Sequence, residues 1–216
     1  GNMSVNGYFC VKKEMENETV IERSRFISYV KKSETEDDAR AFLEEKRKAH
    51  PFATHNCYAY ITERGKIARF SDDGEPQGTA GQPILEAIKN KKLFDTIVVV
   101  TRYFGGIKLG AGGLVRAYSQ GARDVIEKAG TAENVLSRVY GVKMPYDCYQ
   151  PFLKFADKIK KSVVSTDFSD SVTVKIAVPY DNADFAAKVT DLTNGKAEIT
   201  EINSADEEYI VYDDDL

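Results

Sequence analysis

The apolar positions of the first 130 residues switch between strand-like and helix-like spacing. Stretches rich in valine, isoleucine, tyrosine and phenylalanine predict strands over 8–12, 19–22, 25–31, 56–62, 66–71 and 96–104. Apolar residues three or four positions apart predict helices over 36–48, from Pro83 onward and over 114–129. Thr35 stands before three acidic residues, which is typical of an N-cap and the first turn of a helix. The pattern therefore indicates an α+β chain.

The pattern begins again near Gly130. It predicts, in order, a strand over 135–143, a helix over 146–160, strands over 163–168 and 171–178, a helix over 182–193 and a last strand or pair of strands within 197–212. This β-α-β-β-α-β order is that of the ferredoxin-like unit. We therefore predict two domains, over 1–133 and 134–216, each within the usual size range of a folded domain.

The segment 105–113 joins the predicted strand 96–104 to the predicted helix 114–129, and more than half of it is glycine. Where a strand, a glycine loop and a helix start meet in this way, backbone N–H groups can converge on an anion. Basic residues within and beside the loop add positive charge. The sequence therefore predicts an anion- or nucleic-acid-binding site formed by Arg102, Gly105, Gly106, Lys108, Gly110, Gly112, Gly113 and Arg116.

A structural role for the same glycines stays open, because glycine is also used wherever a chain turns with positive φ. The segment lacks the Gly-Lys-Ser/Thr of a P-loop. Val115 stands where a dinucleotide-binding fingerprint that starts at Gly110 would have glycine. Arg102 can likewise grip a phosphate or pair with Asp72 or Glu75.

The segment 71–83 is the second candidate site. It carries Asp72, Asp73 and Glu75, and His55 lies upstream of it. Such groups can hold a divalent cation, act as acid or base, or pair with a cation. The segment has no repeated ligand pattern, and Asp-Gly and proline are also ordinary turn residues. We therefore leave a metal or a pairing role open for this cluster and assign neither a metal ligand nor a catalytic residue.

The charge, the cysteines and the apolar runs of the sequence limit which partners and which cellular compartment the protein can have. The net charge is −4, with +2 on residues 1–135 and −6 on residues 136–216, which argues against a protein coated by nucleic acid but leaves room for a local basic patch. The three cysteines form no Cys-x-x-Cys pair, so neither a zinc knuckle nor a redox dithiol is indicated. No apolar run is long enough for a membrane helix, and the first residues lack a signal-peptide pattern. We expect a cytoplasmic protein that does not enter membranes.

The two candidate segments together resemble the IMPACT/YigZ family. The residues that carry the resemblance are ATHNCYAY at 53–60, FSDDGEPQGTAG at 70–81, Pro-Ile-Leu at 83–85 and VVTRYFGGIKLGAGGL at 99–114. The last piece matches the family signature of an arginine, two aromatics, two glycines and a later glycine without a gap. The resemblance covers about residues 8–130 in the family domain, and the rest is similar to the small C-terminal domain of the bacterial members.

The resemblance implies both a fold and a function. It implies an N-terminal domain like the second domain of ribosomal protein S5 and a ferredoxin-like C-terminal domain similar to one of elongation factor G. It implies a non-catalytic regulator linked to translation, without a cofactor, that binds the ribosome, RNA or a translation-associated protein. The alternative is an enzyme or small-molecule binder that acts on a phosphorylated ligand or nucleotide at the glycine loop; a protein–protein adaptor is a third option.

Overall fold

The structure is a computed structural model that describes residues 7–202 and 208–212. Within these ranges the chain has a mixed α/β fold with two antiparallel sheets and five helices. It divides into two compact units, of which the first comprises Tyr8–Ala132 and the second comprises Gly7 and the described residues from Glu133 onward. No helix in the described part of the chain is long and apolar enough to cross a membrane.

The elements follow one another in two series. Up to residue 129 they are β1 (Gly7–Val11), β2 (Met15–Ile21), β3 (Ser24–Lys32), α1 (Glu36–Ala49), β4 (His55–Thr62), β5 (Ile67–Ser71), α2 (Gly81–Asn90), β6 (Thr96–Tyr103) and α3 (Gly110–Ala129). After it they are β7 (Thr131–Met144), α4 (Tyr146–Ala156), β8 (Ser162–Phe168), β9 (Val172–Pro179), α5 (Phe185–Leu192), β10 (Glu198–Glu201) and β11 (Glu208–Val211).

The sheet of the first unit has the order β2-β3-β6-β4-β5, with antiparallel neighbours throughout. Its central strand β6 carries the continuous apolar run 97–100, all of it fully buried. A run without alternation is typical of a strand covered on both faces. The helix α1 packs Phe42 and Leu43 onto one face, and α2 and α3 cover the other.

The local signals at α1 are confirmed. The hydroxyl of Thr35 accepts a hydrogen bond from the backbone N–H of Asp38 at 3.1 Å, as an N-cap does. The first turn is acidic and the last turn basic, which suits the helix dipole at both ends.

Two helix starts differ from the prediction. The helix α3 begins at Gly110, four residues before the predicted start at residue 114. Glycine has low helix propensity, so Gly112 and Gly113 in its first turn resemble a loop by sequence, although the helix that buries Leu114 and Tyr118 extends through them. The helix α2 begins at Gly81, two residues before Pro83, which leaves the proline in the first turn.

The second unit has its strands in the order β7-β9-β8, with β10 and β11 also paired to β7. The helices α4 and α5 bury Phe152 and Phe185 against the sheet. The helix α4 ends at Ala156 rather than at the predicted residue 160, and α5 begins at Phe185 rather than at residue 182. The last predicted segment, 197–212, contains two strands, and residues 203–207 between them lie outside the described ranges.

Candidate functional site

A buried ion pair joins the end of β6 to the loop before α2. Arg102 is 5% exposed and Glu75 is 8% exposed. The Nη1 group of Arg102 donates to both carboxylate oxygens of Glu75, at 3.0 and 2.9 Å, and Nη2 donates to the hydroxyl of Ser24 at 3.3 Å. Arg102 therefore pairs with Glu75, one of the two carboxylates that the sequence names as possible partners. Binding of a phosphate by Arg102 stays a prediction.

The carboxylate of Glu75 also contacts polar groups on two further elements, β4 and α3. Nε2 of His55, on β4, lies 3.1 Å from one oxygen, and the hydroxyl of Tyr118, on α3, donates to the other at 2.5 Å. Tyr118 is fully buried and packs edge-to-face on Phe26. Burial, and after it the neighbouring Cys57 and Glu75, raise the pKa of the Tyr118 hydroxyl far above its ordinary value, so the hydroxyl stays a donor.

The loop that carries Glu75 is held by the side chain of Asp72. One carboxylate oxygen of Asp72 accepts from the backbone N–H groups of Ala80 and Gly81, at 3.1 and 2.8 Å. The other oxygen accepts from the N–H of Gly78 at 2.9 Å, and the carbonyl accepts from the N–H of Glu75 at 2.9 Å. Because α2 starts at Gly81, Asp72 supplies a negative charge at that helix N-terminus and closes the loop on itself.

Asp73 and His55 complete the connection between the loop and β4. The Asp73 carboxylate accepts from the backbone N–H of Asn56 at 2.7 Å, and its carbonyl lies 2.8 Å from Nδ1 of His55. Both ring nitrogens of His55 therefore face acceptors, the Asp73 carbonyl and the Glu75 carboxylate. A neutral imidazole has one N–H and can donate to only one of them.

Of the four residues in the predicted acidic cluster, two lie together and the other two stabilise the backbone. His55 and Glu75 meet around Arg102, whereas Asp72 and Asp73 bind backbone N–H groups of the loop and of β4. Among residues 7–202 and 208–212, no three His, Cys, Asp or Glu side chains are grouped so that they could hold a metal ion.

The glycines of the predicted anion site have conformational reasons of their own. A Cβ on Gly105 would lie 2.1 Å from the backbone carbonyl carbon and oxygen of Arg23, in the turn between β2 and β3. Gly106 and Gly110 have φ values of +91° and +74°, in open surroundings. Gly112 and Gly113 lie in the first turn of α3. Binding of an anion by this loop stays a prediction.

Two cavities lie beside the start of α3 and share Lys108 and Leu109. The first, of about 370 Å³, lies over the ion pair and is called here the arginine cavity. Its walls are Thr54, His55, Glu75, Pro76, Arg102, Phe104, Lys108, Leu109, Gly110, Ala111 and Leu114. The second, of about 520 Å³, follows α3 and is called here the basic groove. Its walls are Ile21, Glu22, Lys108, Leu109, Gly113, Arg116, Ala117, Gln120 and Arg123.

The basic groove contains three exposed cations and one carboxylate. Lys108, Arg116 and Arg123 have no carboxylate partner among the described residues, and the acidic wall residue is Glu22. Arg123 is the functional candidate that the sequence reasoning missed. It follows Arg116 by seven residues, which is two helical turns, so the two guanidinium groups share one face of α3, and that spacing is the signal that could have found it.

A second histidine network lies on the α1 face of the same sheet. Nε2 and Nδ1 of His50 each lie 2.6 Å from a tyrosine hydroxyl, those of Tyr29 and Tyr103 respectively. Burial is the main cause that lowers the pKa of His50 below its ordinary value, and the charges of Arg25 and Lys46 add to it. Burial raises the pKa of Tyr29 to about 12, so this hydroxyl stays protonated.

The depressed pKa of His50 predicts a loss of stability in mild acid. Its folded-state pKa lies below the unfolded value, so the unfolded chain binds more protons, and stability falls as the pH decreases through about 6.5. The slope from this one group is at most about 1.4 kcal/mol per pH unit. Urea unfolding at pH 7.5 and 5.5 should show a smaller pH difference for His50→Gln than for the wild type. Equal differences in the two proteins would contradict this assignment.

The chain is similar to known proteins over most of its length. Residues 22–126 match the family model described as the Impact N-terminal domain. The chain is 41% identical over 202 residues to the IMPACT family member YvyE of Bacillus subtilis, which covers 91% of this chain and 92% of the relative. It is 32% identical over 186 residues to the IMPACT family member YigZ of Escherichia coli, which covers 84% and 91%. A solved structure, described as the crystal structure of a hypothetical protein, matches with a TM-score of 0.61 and 29% identity, over 94% of this chain and 100% of that one.

Proposed function

The chain belongs to the IMPACT family, and on that premise we propose that it is a non-catalytic regulator linked to translation that binds RNA on the ribosome. Family membership confirms the resemblance seen in the sequence, and the family is linked to the regulation of translation. Binding to ribosomes would place the protein in the cytoplasm.

The observation that carries this proposal is the unneutralised charge of the basic groove. Lys108, Arg116 and Arg123 line one groove with a single opposing carboxylate, that of Glu22, in a chain whose net charge is −4. A local excess of exposed cations on an otherwise acidic protein favours the binding of a polyanion. A protein partner with a few acidic side chains on its surface is a weaker match for it. Phosphate groups of RNA supply such a polyanion.

We also propose the two domain types that the resemblance implies. The second unit has the element order β-α-β-β-α-β, and four of its strands lie in the antiparallel order β10-β7-β9-β8. This arrangement supports a ferredoxin-like domain. For the first unit, the family resemblance supports a fold like the second domain of ribosomal protein S5. The proposed boundary lies at residues 133–134.

Co-sedimentation of the purified protein with ribosomes and free subunits tests the proposal. The variant Lys108→Ala/Arg116→Ala/Arg123→Ala should bind about 100-fold more weakly at 0.1 M salt, because three phosphate contacts are lost. The slope of log K against log salt concentration should fall by about 2. Arg102 is unsuited to this test, because its substitution would disrupt the buried ion pair.

A charge-matched variant controls for the loss of three positive charges. Lys48, Lys89 and Lys91 are exposed residues of the same unit that lie outside both cavities, so Lys48→Ala/Lys89→Ala/Lys91→Ala should bind as the wild type does. Wild-type protein absent from every ribosomal fraction at low salt would overturn the proposal. Binding that survives the groove variant and high salt would indicate a protein partner instead of RNA.

A further inference from the structure

We propose that the arginine cavity takes one unpaired nucleobase of a single-stranded RNA whose neighbouring phosphates lie in the basic groove. This inference rests on the proposed function and names the form of RNA that the site selects. It follows from the volume, the walls and the rim of the cavity.

The size and the walls of the cavity suit a flat organic ring. Its volume of about 370 Å³ falls within the range of about 300–1,000 Å³ that is usual for small-molecule sites. Apolar walls come from Pro76, Leu109 and Leu114, and the ring of Phe104 is 46% exposed. An exposed aromatic ring beside a cavity offers a surface on which a base can stack.

The polar side of the cavity carries little net charge. Arg102 and Glu75 compensate each other, and His55 directs both ring nitrogens to protein acceptors. The carboxylate of Glu75 and the two Nη groups of Arg102 already have partners, and of the Arg102 nitrogens Nε has none among the described residues. A neutral heteroaromatic ring would displace none of these partners, whereas a charged group would compete with them. The guanidinium group of Arg102 lies 5.4 Å from the ring centroid of Phe104, which keeps that ring oriented at the cavity wall.

The rim of the cavity leads directly into the basic groove. Lys108 lines both cavities, and Arg116 and Arg123 follow along α3. At about 1.5 Å per residue, the last two lie about 10 Å apart along the helix axis, far enough to meet different phosphates. A base in the cavity therefore has cations within reach of the phosphates on one side of it.

Duplex RNA cannot use this arrangement. Its bases are stacked and paired, and its phosphates can engage the groove without any base reaching the cavity. A single strand can turn out one base at little expense and keep its phosphates in the groove. The site should therefore prefer single strands, and Phe104 should carry that preference.

Fluorescence anisotropy with a labelled 12-nucleotide RNA of mixed sequence, alone and annealed to its complement, tests the inference. Wild-type protein should bind the single strand at least about 10-fold more tightly than the duplex. Phe104→Ala should weaken single-strand binding about 10-fold and leave duplex binding unchanged. Phe70→Ala is the matched control, since Phe70 is 48% exposed and lines neither cavity, and it should change neither affinity.

The outcomes separate this inference from the proposed function. Equal affinity for both RNA forms, with Phe104→Ala inert and the groove variant weakened, would overturn the nucleobase site and leave RNA binding standing. Absence of binding to either RNA and to ribosomes would overturn both. Thermal unfolding of Phe104→Ala should match that of the wild type, because the side chain is half exposed. A matching unfolding temperature would show that a loss of RNA binding comes from lost stacking and not from a folding defect.

Discussion

Glu75→Ala should lower the free energy of unfolding by about 3–5 kcal/mol, measured by urea denaturation. The substitution leaves the guanidinium group of Arg102 buried without its carboxylate, and it also removes the acceptor of the Tyr118 hydroxyl. An uncompensated buried charge is among the largest single destabilising changes known in proteins. The variant should therefore be close to the limit of stable folding.

Two further variants test whether the loss of stability comes from the unpaired buried charge. Glu86→Ala removes an exposed glutamate from α2 and should change stability by no more than about 0.5 kcal/mol. The double variant Glu75→Leu/Arg102→Met removes both charges and should be more stable than Glu75→Ala, since no lone ion remains. A loss below about 1 kcal/mol for Glu75→Ala, the usual value for an exposed pair, would contradict the buried pair.

Gly105→Ala should destabilise the first unit by about 3 kcal/mol in the same urea assay. The new Cβ would lie 2.1 Å from backbone atoms of Arg23 and 2.6 Å from the backbone nitrogen of Ser24. Backbone atoms cannot rotate aside as a side chain does, so the segment that follows β6 and the β2–β3 turn would have to move apart. That movement would also break the hydrogen bond from the Gly105 N–H to the Ser24 hydroxyl.

Gly106→Ala, one position further along the chain, is the matched control for Gly105→Ala. Nothing lies within 4 Å of a Cβ there, so the substitution should cost only the strain of an L residue at positive φ, about 1–2 kcal/mol. A loss at Gly105→Ala that does not exceed the loss at Gly106→Ala would show that the close approach to Arg23 is not a constraint on the fold.

The elements that the sequence predicts well are those with short-range causes. The Thr35 cap, the acidic first turn of α1 and the apolar run of β6 each depend on neighbouring residues, and the structure has them where the pattern indicates. The sequence does not predict the start of α3 at Gly110, because the glycines of its first turn have low helix propensity.

The site itself was only partly predictable. The sequence indicates that Arg102 and Glu75 are candidates and leaves open whether they bind a ligand or each other. Ser24 and Tyr118, which complete the network, are 78 and 43 residues distant in sequence from the groups that they bind. Such partners depend on which strand and helix faces meet, and local patterning does not contain that information.

Side chains of β6 alternate between the two faces of the sheet, so neighbouring residues contact different surroundings and are under different constraints. Arg102 belongs to the face with the cavities, whereas Tyr103 contacts His50 on the α1 face. Substitutions on the α1 face can alter thermal stability while the cavity walls on the other face stay unchanged. The α1 face of the strand therefore affects stability alone, whereas Arg102 on the other face contributes both to stability and to a cavity wall.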